Sequence, residues 1–570
     1  MSLNLSAAER LSAGGAAASP DPASPDLPAS SAAPRAVVAA MSQGRDAAAA
    51  AVAALKGPFA FGHHDAQSGR TLLAVDRFAM RTICHRVVGS ELHFAERADA
   101  LAGEADALDP QAVFDYLYFH CIPAPRTVFK EVMRLPAGHI AWFERGELTV
   151  QPYWTPTFED TGRAGQSFEA LRDEFRATLQ VAVKRDLDVD QGGIPACFLS
   201  GGTDSSTVAG MIGQAAGQPA HTYSIGFEAQ GYDEMAFARI AAKHFGTKHH
   251  EYYVTPEDLV KSIADVAQSY DQPFGNSSAL PAYYCAKVAR GNGVARMLAG
   301  DGGDELFGGN SRYAKQRVFG WYQCLPAFAR RGVMEPLLER TPLGNLPLLK
   351  KGKSYIEQAK VPMPERDELY NLLLRLGLAE VLTPEFLARI DAHAPAHLRR
   401  QLWERAATGS EVNRTLAFDW RFTLADSDLP KVRGTTQLAG VSVRFPFLAD
   451  EVLAFSLKLP ADYKLKGLKL RWFFKEALRG FLPDEIITKK KQGFGLPFGV
   501  WATKHAGLKA LALDSLMSLR GRGIVRPEFI NTLVDKKLPE HPGYFGEMVW
   551  ILMMLEQWLR RVRPEGRALF

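Results

Sequence analysis

At 570 residues the chain is longer than one hydrophobic core can serve, so two or three folded units are expected. Its 67 basic and 63 acidic residues leave a formal charge of +4, small for such a surface, which gives no electrostatic case for a nucleic-acid partner. Five scattered cysteines (Cys84, Cys121, Cys197, Cys285 and Cys324) supply neither a C-x-x-C pair for zinc or redox chemistry nor a disulfide framework, and the late apolar run at 548–555 is far short of a bilayer span.

Residues 1–40 are Ala, Ser, Pro and Asp with almost no large apolar side chains. They cannot bury enough surface to offset the entropy of ordering, and a disordered tail is expected there. MSLNLSAAER has no basic segment followed by an apolar one, so the expected location is cytoplasmic. Between 57 and 94 the runs GPFAFGHHD, TLLAVDRF, ICHRVVG and ELHFA alternate with turns and predict a small antiparallel unit. A helix is predicted over 111–119. Pro136-Ala137-Gly138 then turns into a strand and a hairpin ending at Tyr153 and Trp154, with a boundary near 155–168.

Beyond that boundary apolar strands alternate with helices: PACFLS before a helix at 207–215, TYSIGF before 233–245, HHEYYV before 259–270, and ARMLAG after a further helix. Such alternation implies a parallel sheet covered on both faces. After about residue 310 strand signals fade, and helical segments with exposed Arg, Lys and Glu are expected to cap the ligand edge of the sheet.

The strongest local signal is FLSGGTDSS at 198–206, between a buried-looking strand and a helix. Paired glycines let the backbone turn tightly, so amide N–H groups and the hydroxyls of Ser200, Ser205 and Ser206 can surround a pyrophosphate at a positive helix N-terminus, with Asp204 beside it to hold magnesium. Without the flanking strand and helix the same letters would be an ordinary Gly-Ser turn. Gly352-Lys353-Ser354 imitates the end of a Walker loop, but Pro347 stands where the leading glycine belongs, and a solvated loop is expected. A second motif, LAGDGGDELFGG at 298–309, again ends an apolar strand, where ligands of open α/β sheets bind.

With both motifs in this order the chain resembles the asparagine synthetase family. The resemblance continues in HTYSIGF (221–227), YDE (232–234), GTKHH (246–250), DQPF (271–274), VRFPFL (443–448) and KKKQGF (489–494), covering roughly 55–500. It implies an α/β chain in which a degenerate remnant of an Ntn-type α+β glutaminase domain, 41–160, precedes a parallel-sheet ATP-pyrophosphatase (HUP-like) synthetase domain, 168–570, with a helical C-terminal part. It further implies ATP and Mg2+ as cofactors. Ser200, Gly201, Gly202, Asp204, Ser205 and Ser206, with Gly300, would bind the phosphates, and Leu199 and Ile225 would flank the adenine. Asp204 and Asp304 would hold the metal, and Lys491 would face the α-phosphate and the reacting carboxyl group. Asp301 would receive a proton from the attacking amine or, equally, only stabilise its turn.

Glutamine-using relatives begin Met-Cys, because the N-terminal cysteine supplies both the nucleophile and the amine that activates it. This chain begins Met-Ser, Cys84 and Cys121 lie inside it, and no arginine-containing glutamine-binding segment precedes residue 57. A truncated glutaminase half without a nucleophile is therefore expected, kept for packing or docking together with its Asp76-Arg77-Phe78 turn. Gln272 and Ser442 stand where relatives often have glutamate, which leaves the acyl substrate open.

The implied reaction is ATP-dependent, AMP-forming amide synthesis from a small-molecule or peptide carboxylate. Nitrogen would come from ammonia, from a separate glutaminase, or from an amine within the substrate as in β-lactam synthetases and lasso-peptide cyclases. An ammonia-dependent asparagine synthetase is one alternative. A non-catalytic nucleotide-binding scaffold is another, against which Asp204, Asp304 and Lys491 argue. A base-modifying enzyme of the wider pyrophosphatase-loop group is a third, against which the near-neutral charge argues. A homodimer fits the resemblance; a nucleic acid or a membrane does not.

Overall fold

A computed structural model describes residues 33–103, 106–159, 161–163, 165–188, 192–229, 231–330, 335, 355–406, 408–490, 495–564 and 569–570. The N-terminal layer holds two antiparallel sheets built from β1 (Ala60–Asp65), β2 (Arg70–Val75), β3 (Cys84–Val88), β4 (Glu91–Ala95), β5 (Met133–Arg134), β6 (His139–Glu144) and β7 (Glu147–Pro152). Their orders are β1-β2-β6-β7 and β4-β3-β5.

Helices Arg35–Met41 and Arg45–Ala53 pack on the first of these sheets, burying Val37, Met41, Ala48 and Val52 with Phe61, Leu72 and Trp142. The expected tail through residue 40 is therefore corrected: the chain is helical from Arg35. The sheet face presents the large side chains, so two alanine-rich helices that bury only Val37, Met41, Ala48 and Val52 suffice to cover it. The next helix, Pro110–Phe119, opens with Asp109 accepting the Gln111 N–H at 2.9 Å and with proline in its first turn.

The second unit is a parallel sheet of β8 (Ala196–Phe198), β9 (His221–Phe227), β10 (Lys248–Val254), β11 (Arg296–Leu298) and β12 (Ser442–Arg444), in the order β10-β9-β8-β11-β12. The chain winds outward from β8 to β10, crosses back to β11, and so reverses direction between β8 and β11. Both glycine motifs follow those two strands and open at the reversal point, where loops diverge and a crevice forms. β12 corrects the expectation that strands end near residue 310. Three residues carry no periodicity, and β12 is defined by its parallel pairing with β11, Arg296 with Ser442 through Leu298 with Arg444.

The two units are bolted together by Arg77. Its guanidinium donates to Asp450 Oδ1 at 2.5 Å and to the carbonyls of Ala53 and Leu55 at 2.7 and 2.9 Å, while the Gly57 N–H donates to Asp450 Oδ2 at 2.6 Å. Its neighbour Asp76 is fully buried and accepts N–H groups from Phe59, Phe78, Met80 and Arg81.

The apolar run near the C-terminus lies in helix Pro542–Val562, which is interior to the protein. Trp550 and Trp558 donate to the carbonyls of Gly275 and Tyr270 at 3.0 and 3.1 Å, and buried Glu556 pairs with Arg522 at 2.9 Å. Tyr116, on the N-terminal helix Pro110–Phe119, donates its hydroxyl to Ile551 O at 2.7 Å. Among the described residues no helix is long and apolar enough to cross a membrane. Arg77→Ala removes every bond of the bolt except that from Gly57 and leaves Asp450 half-satisfied. It should cost about 2–3 kcal/mol, read as a lower urea midpoint.

Candidate active site

A cleft of about 900 Å³ opens at the C-terminal ends of β8 and β11. The loop after β8 turns sharply at Gly201, whose φ of 67 and approach to helix Met235–Phe245 both require glycine: a Cβ there would lie 2.4 Å from Ala238 N. Helix Thr203–Ala216 follows with Gly202 at its N-cap, so its free N–H groups and the positive end of its dipole face the cleft. Ser205 Oγ accepts the Ser200 N–H at 3.1 Å and lies 3.0 Å from Ser200 Oγ, which draws the two hydroxyls together.

The loop after β11 is pressed against this turn. A Cβ on Gly300 would lie 2.9 Å from Ser205 N, and one on Gly303 would lie 2.5 Å from Asp204 Oδ1. Asp204 and Asp304 thus face the same point, and the guanidinium of Arg471 contacts both carboxylates.

Further charges come from the C-terminal helices, which cover this edge of the sheet as their composition implies. Lys489 pairs with Glu234 at 3.2 Å and stands 4.5 Å from the ring centre of Phe237. Asp428 ends the π-helical stretch Trp420–Asp428, and Lys431, in the following helix Leu429–Leu438, binds it at 2.8 Å. Asp301 shares this corner. Burial pushes its carboxyl up to about 6 against the pull of Lys431, with Asp428 adding to the rise. Burial alone would lower the Lys431 ammonium, but Asp428 and Asp301 outweigh it and hold the pKa above its ordinary value.

Of the residues singled out in the sequence, Leu199, Ser200, Gly202, Asp204 and Ser205 line the cleft from the first loop and Ile225 from β9. Gly300, Asp301 and Asp304 line it from the second loop. Gly201 and the fully buried Ser206 are not on its wall. Lys491, and the Walker-like Gly352-Lys353-Ser354, lie outside the described residues, although Lys489 and Lys490 reach the cleft.

Gln272 and Ser442 do not line the cleft either. Gln272 donates to Ile122 O at 3.4 Å, and Ser442 accepts from Arg296 Nε at 3.2 Å at the start of β12, the end of the strand away from the site. Cys84 and Cys121 are buried; burial pushes the Cys84 thiol up to about 11 and the Cys121 thiol well above its ordinary value. Sequence reasoning missed Arg471, Lys475, Asp428 and Lys431. They carry no glycine signature, and their only local mark is a basic or acidic residue within a helical stretch.

Residues 174–560 match the family model of asparagine synthase, and residues 36–154 match that of a glutamine amidotransferase domain. The chain is 24% identical over 460 residues to asparagine synthetase [glutamine-hydrolyzing] 1 of Bacillus subtilis (strain 168), covering 79% of this chain and 69% of that protein. It is 27% identical over 466 residues to a putative asparagine synthetase [glutamine-hydrolyzing] of Mycobacterium tuberculosis (strain ATCC 25618 / H37Rv), covering 78% and 68%. It is also 29% identical over 487 residues to amidase chyE of Penicillium rubens, covering 78% and 70%. The match to this family and these relatives, with the glycine-rich turn at the reversal point of a parallel sheet, makes the chain an ATP-dependent, amide-forming ligase. Its N-terminal layer is of the glutamine amidotransferase type. With well over half its length matched by one model, the chain belongs to the asparagine synthase family.

Gly303→Ala would drive a methyl group into the Asp204 carboxylate. It should weaken binding of a non-hydrolysable ATP analogue roughly tenfold or more by calorimetry, with the far-ultraviolet circular dichroism unchanged.

Proposed function

We propose that this ligase adenylates a carboxylate with ATP, releases pyrophosphate, and passes the acyl group to ammonia or to an amine. The observation that carries this reading is the meeting of two loops in one cleft: one ends at an anion-favouring helix N-terminus, the other brings Asp304 beside Asp204.

In this reading the N–H groups of the first turn, with the hydroxyls of Ser200 and Ser205, hold the pyrophosphate portion of ATP, while Leu199 and Ile225 flank the adenine. Two carboxylates on one point are a hard oxygen set that fits magnesium, and Asp204 and Asp304 are the residues that would hold it. When bound, such an ion neutralises charge on phosphate oxygens. The acyl substrate enters beside Asp301, Asp428 and Lys431, and Lys491, next in sequence to the cleft-lining Lys489 and Lys490, would meet the charge that builds at the α-phosphate. Holding the carboxylate in line with the α-phosphorus supplies much of the rate.

Asp301 takes the proton of the attacking amine, for which its carboxyl must be ionised. With that carboxyl raised to about 6, aminolysis should fall as pH drops through 6, about tenfold per unit below it, and Asp301→Asn should erase this limb of the profile.

Nitrogen arrives as free ammonia, from a separate glutaminase, or on the substrate itself; the buried Cys84 and Cys121 favour these routes over internal glutamine hydrolysis. Pyrophosphate release from magnesium ATP tests the whole reading, first with aspartate and ammonia and then with other carboxylates and peptides. Turnover with aspartate makes the chain an ammonia-dependent asparagine synthetase; turnover only with another acid makes it a specialised amide ligase. Release that survives Asp204→Ala or Lys491→Ala removes that residue from the mechanism, and glutamate release from glutamine overturns the nitrogen assignment.

A further inference from the structure

Arg471 supplies a charge that the ligase reading leaves unused. It precedes helix Trp472–Ala477 in a left-handed backbone conformation (φ 54, ψ 36), one that residues with a Cβ adopt only when their surroundings enforce it. From there the side chain crosses Phe474, its guanidinium carbon 4.3 Å from the ring centre, and reaches the floor of the cleft 6% exposed. Nη1 donates to Thr203 Oγ1 at 2.8 Å and stands 2.6 Å from Asp304 Oδ1, while Nη2 donates to Asp204 Oδ1. One guanidinium therefore occupies an oxygen of each carboxylate assigned to magnesium. Gly309 makes room for the pair: a Cβ there would collide first with the Asp304 carboxylate and would also lie 2.8 Å from Arg471 Cδ.

We propose that Arg471 is a built-in counter-ion for the Asp204–Asp304 pair, which a divalent cation can occupy only as Arg471 releases it, so that metal and nucleotide load together. This rests on the reading of the two aspartates as the magnesium carboxylates. Two carboxylates this close repel each other, and leaving them desolvated without a cation is costly. An arginine is protonated at neutral pH, so it serves as a standing counter-charge. A bare cation must evict the guanidinium toward Lys475, whose ammonium is held below its ordinary pKa by burial and by Arg471 itself. ATP changes that balance, because phosphate oxygens offer the displaced fork a bidentate partner. Linkage then requires nucleotide to raise metal affinity and metal to raise nucleotide affinity.

The test is binding of Mn2+ alone to the full chain, followed by electron paramagnetic resonance. The wild type should bind weakly, and Arg471→Met should bind roughly tenfold or more tightly, the weight of one charge-assisted contact. Adding Asp204→Asn to Arg471→Met should abolish the gain. Equal Mn2+ affinity in wild type and Arg471→Met, or a gain that survives Asp204→Asn, overturns the proposal. If Arg471→Met does not fold, Arg471→Lys, which keeps the charge but loses the fork, makes the same comparison and should show an intermediate gain. Pyrophosphate release plays no part in this readout. A chain that gains Mn2+ on Arg471→Met yet releases no pyrophosphate with any carboxylate defeats the ligase reading and leaves the counter-ion standing.

Discussion

The cleft depends on how closely the backbone after β11 approaches the backbone after β8. Gly300 and Gly303 leave no room for a side chain against Asp204 and Ser205, and this contact at the reversal point of the sheet sets everything above it. It aims the helix Thr203–Ala216 dipole and two carboxylates at one volume, so a positive backbone end and a negative side-chain pair sit side by side. A polyphosphate with its counter-cation needs that juxtaposition, and flexible side chains alone would have to order themselves to create it.

The charges around the cleft are held in pairs: Arg471 with Asp204 and Asp304, Lys431 with Asp428, Lys489 with Glu234. Paired in this way they are fixed before any substrate arrives. Adenylation moves negative charge from a triphosphate to a departing pyrophosphate and an acyl phosphate, and prearranged cations and carboxylates lower the reorganisation each step demands. Burial lifts the Asp301 carboxyl toward neutrality, which suits the proton transfer proposed for it.

The parts of this architecture that could be read in the sequence are those whose physics is local. A phosphate loop needs adjacent glycines and hydroxyls, so SGGTDSS and GDGGDELFGG announce themselves, and strand–helix alternation reveals the parallel sheet around them. The rest depends on contacts between distant segments. Arg471 meets Asp204 across 267 residues, and β12 finds Arg296 across 146; neither partner marks the other in sequence. Helix Arg35–Met41 hid in an alanine-rich stretch because the apolar bulk of its interface belongs to the sheet. Gln272 and Ser442 stand where relatives often have glutamate, yet neither lines the cleft, and strand direction puts Ser442 at the opposite end of β12.

The buried helix Pro542–Val562 carries a consequence for biosynthesis. Tyr116 and its neighbours Val113, Phe114 and Leu117 are sealed by residues such as Ile551 and Trp558, and the Tyr116–Ile551 bond spans 435 residues. At about 5–20 residues per second, a ribosome needs roughly 20–90 seconds to deliver that covering after the N-terminal layer has emerged. During that interval the amidotransferase-type layer carries an open apolar face, which stays a chaperone target until helix Pro542–Val562 arrives to close it.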